Sequence, residues 1–453
     1  MRSLPRLCLA ALLLLAAGCS ATTKARADRP PNLLVILADD LGIECLSVYG
    51  GLDHHTPNLD RLAAQGMVFD LCFSAPYCSP SRASLLTGRY PFDHGVREVI
   101  WDVNRHSDLY LSPDQPSFAR QLKQAGYATA IAGKWQLAFL HQRNHVHDFG
   151  FDRYQCWQIF DDAGNKTRRF HEPHLIRDGE IVHDTIKDRY GPDVNARFLI
   201  EFMQQNAEDN TPFLAYYTCL LPHFPFVPTP DSEDQAYRPP TATHKGDPRY
   251  FPDMVAYLDT LVGRLMRSLD QMGIADNTVV VFLADNGTDQ TREHRWGEAG
   301  RIVKGGKGTM TDRGTRVPLI VRWPGKVKPG TRCDDLIDFS DLLPTLCEIA
   351  DAPLPDQSIH GRSFAPQLLG RPGNPRRWVH VQDKTSRYVR SKTHILTDAG
   401  EFRPVVALPD SPAKPIDGAL TDLERTEKSL LQSAFDELDR LHAGRERADP
   451  ATE

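Results

Sequence analysis

Two segments carry an apolar run that stops on oxygen-bearing side chains: Leu34-Val35-Ile36-Leu37-Ala38-Asp39-Asp40 and Val280-Val281-Phe282-Leu283-Ala284-Asp285-Asn286-Gly287. Continuous branched apolar runs of this length read as strands buried on both faces, the kind found at the centre of a parallel sheet. In open α/β sheets, sites form just beyond the carboxyl ends of the strands. If the two strands are neighbours, Asp39, Asp40, Asp285 and Asn286 meet. Three carboxylates in one place repel one another and call for a cation. With oxygen donors only, that cation is Ca²⁺ or Mg²⁺ rather than zinc. Taken alone, each pair also fits a strand-ending turn, because Asp, Asn and Gly commonly terminate strands.

A second segment reads Cys78-Ser79-Pro80-Ser81-Arg82-Ala83-Ser84-Leu85-Leu86-Thr87-Gly88-Arg89. An isolated Cys near a Pro is usually structural, but this whole run resembles the signature of the type I, formylglycine-dependent sulfatases. These are arylsulfatase-like enzymes of the alkaline phosphatase superfamily. Further blocks are similar to that family in the same order: Thr56-Pro57-Asn58-Leu59-Asp60, Gly133-Lys134-Trp135, Pro222-His223, Ala284 to Gly287, Lys307-Gly308-Thr309, Arg316-Val317-Pro318 and Gly361-Arg362-Ser363-Phe364. The resemblance implies an α/β fold like that of alkaline phosphatase: a large, mostly parallel central sheet flanked by helices, with a small C-terminal antiparallel sheet and helix.

It also implies a set of roles. Cys78 is oxidised to formylglycine by a formylglycine-generating enzyme, and its hydrate is the nucleophile and a metal ligand. Asp39, Asp40, Asp285 and Asn286 hold one divalent cation, Ca²⁺ in preference to Mg²⁺. Arg82 lies four residues after Cys78, one helical turn away on the same face. By resemblance it orients the hydrate and balances carboxylate charge. Lys134 and Lys307 match lysines that contact the sulfate, and His223 matches a histidine near the leaving oxygen, a candidate general acid. A sulfate monoester carries negative oxygens that repel a nucleophile, so cations here serve the chemistry directly.

Gln136 departs from the pattern. Many members of the family place His two residues after the lysine, as the base that deprotonates the second hydroxyl of the hydrate. Gln binds hydrogen-bonding groups but takes no proton near neutral pH. Either another group performs sulfate release, for which His141, His145 and His147 lie close in sequence without their spacing proving a reach, or Gln136 only binds and turnover is slow; turnover is expected to survive.

The elements that must position these residues alternate. Strands are expected at 128–132, 213–218, 278–284 and 317–321, with helices at 57–65 (Thr56 as N-cap), 117–124, 194–206, 250–272 and 339–349. Residues 30–352 read as the catalytic domain. After about Ala352 prolines and glycines crowd the chain, and 353–453 read as a smaller subdomain with short strands at 378–381 and 388–390 and a helix at 420–442. Residues 1–19 pair Arg2 and Arg6 with an apolar run ending Leu15-Ala16-Ala17-Gly18-Cys19, which resembles a lipoprotein signal with Cys19 as the lipidated residue. Residues 20–29 form a polar tether, so the expected place is the bacterial cell envelope. The run is too short for a membrane-spanning helix.

The 453-residue chain has a formal net charge of -6, which argues against nucleic acid as a partner. Cys45, Cys72, Cys156, Cys219, Cys333 and Cys347 are scattered, without paired or zinc-like spacing, and read mostly as single buried thiols. Loops at 93–110, 141–190 and 223–250 are rich in Arg, His, Trp and Tyr, which suits sulfated sugars. Two other readings stay open. One is a superfamily hydrolase acting on phosphodiesters or phosphonates; the other is a lipoprotein that binds sulfated glycans without cleaving them.

Overall fold

β1 (Asn32–Asp39) is buried along its whole length, as its unbroken apolar run requires. The chain is seen in a computed structural model that describes residues 29–102, 109–406, 408 and 412–448. The signal segment 1–19, its Cys19 and nearly all of the tether lie outside those residues. β1 pairs in parallel with β7 (Phe213–Pro222) on one side and β8 (Thr278–Ala284) on the other. β3 (Ala128–Gly133) and β4 (Arg153–Trp157) continue the parallel run beyond β7.

The full sheet has ten strands in the order β12-β2-β11-β8-β1-β7-β3-β4-β5-β6. β2 is Met67–Phe73, β5 Leu175–Arg177, β6 Glu180–Ile181, β11 Arg316–Arg322 and β12 Thr331–Asp338. The parallel arrangement holds at the centre, whereas β11 runs antiparallel to both of its neighbours and β5 and β6 form an antiparallel edge. In sequence β11 looks like the other buried strands, because direction leaves no trace in an apolar run. β9 (Glu293–Trp296) and β10 (Arg301–Lys304) form a separate ribbon.

The helices fall close to the expected places: α1 Pro57–Ala64, α2 Cys78–Thr87, α3 Phe118–Gln124, α4 Gly191–Glu208, α5 Phe251–Gln271, α6 Leu342–Ala350 and α7 Asp422–Ala448. α5 buries Met254, Val255, Leu258, Leu261, Val262, Leu265 and Leu269, the three-and-four spacing of one helical face. Ser117 caps α3 by accepting from the Ala119 N–H. Thr56, in contrast, makes no capping bond to α1. The carboxylate of Asp259 on α5 does that work, accepting from the N–H groups of Asn58 at 3.1 Å and Leu59 at 2.8 Å. A tertiary cap of this kind comes from two hundred residues away and cannot be read locally.

A four-stranded antiparallel sheet, β13 (Val379–Gln382), β14 (Arg387–Arg390), β15 (His394–Thr397) and β16 (Phe402–Pro404), packs with α7 around Val389, Leu396, Leu431, Phe435 and Leu438. Two buried ion pairs tie this part to the main body: Arg376 with Asp341 and Arg390 with Asp312. Cys45, Cys72, Cys78, Cys156, Cys219 and Cys347 are buried free thiols, and Cys333 is half-buried. The fold brings Cys45 Sγ within 3.7 Å of His294 Nε2, whose other ring nitrogen meets His54 at 3.1 Å, a contact the sequence spacing did not disclose.

Gly133 ends β3 at φ 120°, and a Cβ there would sit 1.9 Å from the Thr218 carbonyl oxygen of β7. Only glycine lets the chain turn there and deliver the next residue into the site. Gly133→Ala is expected to lower the unfolding free energy by about 2–4 kcal/mol. An unchanged urea midpoint would contradict this.

Candidate active site

β1 and β8 are in register at Ala38 and Ala284, so their carboxyl ends place Asp39, Asp40, Asp285 and Asn286 side by side. All four are fully buried. Asp40 adopts a left-handed conformation (φ 64°), tolerated best by Asp, Asn and Gly, and its N–H donates to Asp285 Oδ1 at 3.1 Å. Asn286 Nδ2 donates to Asp40 Oδ1 at 2.8 Å and to the Gly287 carbonyl.

Each carboxylate meets a cation from a different element. Cys78 opens α2, so Arg82 projects from its first turn, and its Nε and Nη2 reach Asp285 Oδ2 at 2.9 and 2.8 Å. Its Nη1 donates to the Lys134 carbonyl, which locks the helix against the end of β3. Lys134, just past Gly133, is 1% exposed and donates to both oxygens of Asp39 at 2.8 Å. Lys307 comes from a glycine-bounded loop held by its own N–H on the Thr288 carbonyl, and it reaches Asp40 at 2.7 Å.

The electrostatics are unequal among the three acids. Burial disfavours charge on Asp39, but Lys134, His223 and Arg82 outweigh it and hold that carboxyl far below the usual range. Burial, with Asp39 adding repulsion, pushes Asp285 up to about 7 despite Arg82, and burial also raises Asp40. Burial opposes charge on Lys307 as well, yet Asp40 keeps it above the ordinary lysine value.

The chain's own cations therefore do not fully satisfy this cluster. The Oδ1 of Asn286 is also buried with no hydrogen-bond partner among the described residues. Donor atoms of Asp39, Asp40 and His223 lie within 4.8 Å of one another. A hard divalent cation fits this donor set, held by Asp39, Asp40, Asp285 and the free oxygen of Asn286.

Residues 31–352 match the family described as Sulfatase. The chain belongs to the sulfatase family. It is 32% identical to human arylsulfatase A over 445 residues, covering 93% of this chain and 83% of the relative. It is also 32% identical to dog N-acetylgalactosamine-6-sulfatase over 417 residues, covering 86% of this chain and 74% of the relative. Among solved structures, BT4656 in complex with its substrate D-glucosamine-2-N,6-O-disulfate superimposes with a TM-score of 0.71 at 21% identity, covering 92% of this chain and 99% of that one. This protein is thus a sulfuric ester hydrolase of the alkaline phosphatase superfamily, and sulfatases generally use a metal ion and formylglycine.

In this sulfatase Gln136 is buried and left-handed (φ 53°), and its carbonyl accepts from Ser79 Oγ, beside Cys78, at 3.0 Å. Its side-chain Oε1 has no hydrogen-bond partner among the described residues. The three histidines expected to reach back do not. His145 uses both ring nitrogens, one on Trp135 Nε1 and one on the Leu111 carbonyl. His147 is turned to the Phe151 carbonyl, and His141 is exposed and stacked on Phe139. All three follow a chain that turns away after Gln136, so nearness in sequence did not become nearness in space.

His223 follows the end of β7 and is buried, with Nε2 3.6 Å from Asp40 Oδ2. Its Nδ1 meets the Phe224 carbonyl, which can only accept, so Nδ1 carries the hydrogen. Burial, reinforced by Lys307, drives its pKa well below the ordinary histidine value, so at rest Nε2 presents a lone pair to the site. As a general acid His223 must first gain a proton.

A buried cation near the acidic cluster was not singled out by the sequence. Arg169 is 5% exposed and its guanidinium lies 4.2 Å from the centre of the Trp157 ring, at the end of β4. Nothing distinguished it from the other arginines of the 141–190 loop. For the metal set, added Ca²⁺ is expected to raise the Tm of the wild type by a few degrees through preferential binding to the folded state. Asn286→Leu should lose most of that rise; an undiminished rise would remove Asn286 from the ligand set.

Proposed function

We propose that this protein is an exported sulfatase that cleaves a sulfate monoester on a sulfated carbohydrate, using residue 78 after its conversion to formylglycine. The observation that carries this reading is the convergence of Cys78, Arg82, Lys134 and Lys307 on the buried Asp39, Asp40, Asp285 and Asn286 cluster. When bound, the divalent cation, Ca²⁺ in preference to Mg²⁺, polarises a sulfate oxygen and lowers the pKa of the attacking hydroxyl. Hydrated formylglycine offers two hydroxyls on one carbon: one gives up its proton and attacks sulfur as the ester S–O bond to the alcohol breaks. The other, losing its proton to water, closes the aldehyde again as the C–O bond to sulfate breaks.

The chain's own side chains supply the rest. Lys134 and Lys307 face the charge on the sulfate oxygens, and Arg82 holds Asp285 and the end of β3 in place. His223 Nε2 is aimed at the leaving alcohol and, once protonated, returns that proton to its oxygen. Gln136 Oε1, an acceptor without a partner, takes a hydrogen bond from a hydroxyl of residue 78 and orients it, while water rather than Gln136 removes the proton. This makes sulfate release the slower half-reaction.

Sugar substrates are supported by the polar, aromatic loops around the site and by relatives such as N-acetylgalactosamine-6-sulfatase. Export and lipidation at Cys19 rest on residues 1–19, and the partner that matures residue 78 is a formylglycine-generating enzyme. No helix among the described residues is long and apolar enough to cross a membrane.

Co-expression with a formylglycine-generating enzyme should give a residue-78 peptide with the mass of formylglycine, and an unmodified thiol would overturn the nucleophile. His223→Ala should cost about 10²–10⁴-fold in kcat on sulfates with poor leaving groups and much less on an activated aryl sulfate. An equal loss on both would remove His223 from the role of acid.

A further inference from the structure

The loop after β4 is rigid where it carries Arg169. A Phe160–Lys166 bridge closes the 161–165 turn, Trp157 Nε1 donates to Thr167 Oγ1 at 2.8 Å, and the Gly191 N–H donates to the Phe170 carbonyl at 2.7 Å. His171 meets the Pro228 carbonyl at 2.9 Å, tying this loop to the one that bears His223. Cys156 pairs with Gly133 across β4 and β3, so Trp157 follows at the same carboxyl end of the sheet as Lys134. Arg169, stacked on Trp157, is therefore held at the mouth of the sulfate site by a fixed backbone and a fixed ring.

Asp39 and Asp40 attract its charge from a distance, as Asp102 attracts that of Lys166. Arg82, Lys134 and Lys307 each have a carboxylate, but among the described residues no carboxylate lies within 4 Å of Arg169 or of Lys166, which sits over the Phe160 ring at 5.6 Å. Burial pushes Arg169 down to about 10, and burial with Arg169 itself brings Lys166 down to about 8. Arg169 and Lys166 thus stand outside the three cation–carboxylate pairs of the buried cluster. One sulfate monoester facing Lys134 and Lys307 carries a single negative charge and leaves these two for a further anion. A buried guanidinium without an anion in contact is destabilising, and an anionic ligand offsets that cost.

We propose that Arg169, with Lys166 at its rim, is a second anion subsite, and that the substrate is a sulfated sugar bearing a further sulfate or carboxylate near the scissile ester. Arg169 presents a planar fork suited to either oxyanion, and its stacking on Trp157 removes the rotamer freedom that binding would otherwise cost. The neighbouring Trp157 and Phe160 faces lie along the sugar that joins the two anions. This rests on the sulfatase reading and narrows its substrate class.

The test separates the two claims. Calorimetry on calcium-loaded, full-length Cys78→Ala, which binds without turning over, compares monosulfated sugars with their disulfated counterparts and with sulfated disaccharides containing a uronate. At least one doubly anionic class should bind about 10–100-fold tighter than the matching monosulfate, and which class does so tells sulfate from carboxylate. Adding Arg169→Met should erase that preference, and adding Lys166→Gln should reduce it. No preference anywhere in the panel overturns the subsite, as does a preference that survives Arg169→Met. An equal loss for mono- and disulfated sugars also overturns it, placing Arg169 on the scissile sulfate. Turnover of an aryl sulfate by the matured wild type reports on the sulfatase reading independently of these affinities.

Discussion

Three carboxylates buried at the ends of two neighbouring strands are the constraint on which the site depends. Taken out of water together they repel one another, and each demands a partner. The fold answers with one cation from a helix, one from the end of a strand and one from a loop: Arg82, Lys134 and Lys307. These contacts pin α2, β3 and the 305–309 loop to the centre of the sheet. The elements that carry Cys78, Lys134 and Lys307 are thus fixed by the same interactions that make the acids tolerable. Burial still raises Asp40 and Asp285 with these cations in place, a balance that a divalent cation would complete.

Much of this was legible in the sequence for a physical reason. β1 and β8 are apolar throughout and end on acids, so their burial and the place of Asp39 and Asp285 follow from pattern alone. That they are direct neighbours, with Asn286 bonded to Asp40, is a fact of sheet order. The Cys78 to Arg89 run folds as a helix opening on Cys78, which puts Arg82 where a one-turn spacing predicts. Strand direction was not legible, as β11 shows, because both faces of a central strand are apolar whichever way it runs.

Long-range contacts were less accessible still. Asp259 capping α1 joins residues two hundred apart, and Arg169 stands out only because the Trp157 ring lies beneath it. The histidines after Gln136 illustrate the reverse error, since short separation in sequence suggested a reach that their hydrogen bonds exclude. Gln136 itself holds its Oε1 inside the site without a partner, while its carbonyl is tied to Ser79 beside the nucleophile. Under the proposed mechanism the two half-reactions are unequally equipped: attack on sulfur is surrounded by Lys134, Lys307 and Arg82, and release relies on an orienting amide.

The most direct test is rapid-quench mass spectrometry of the intact, matured protein mixed with an activated aryl sulfate, set beside Cys78→Ser. The account predicts that the wild type turns over repeatedly, whereas the Cys78→Ser protein gains one covalent sulfate and stops, because a single hydroxyl cannot expel it. Sustained turnover by the Cys78→Ser protein, or a wild type that gains no covalent sulfate and releases none, would contradict the central role of residue 78.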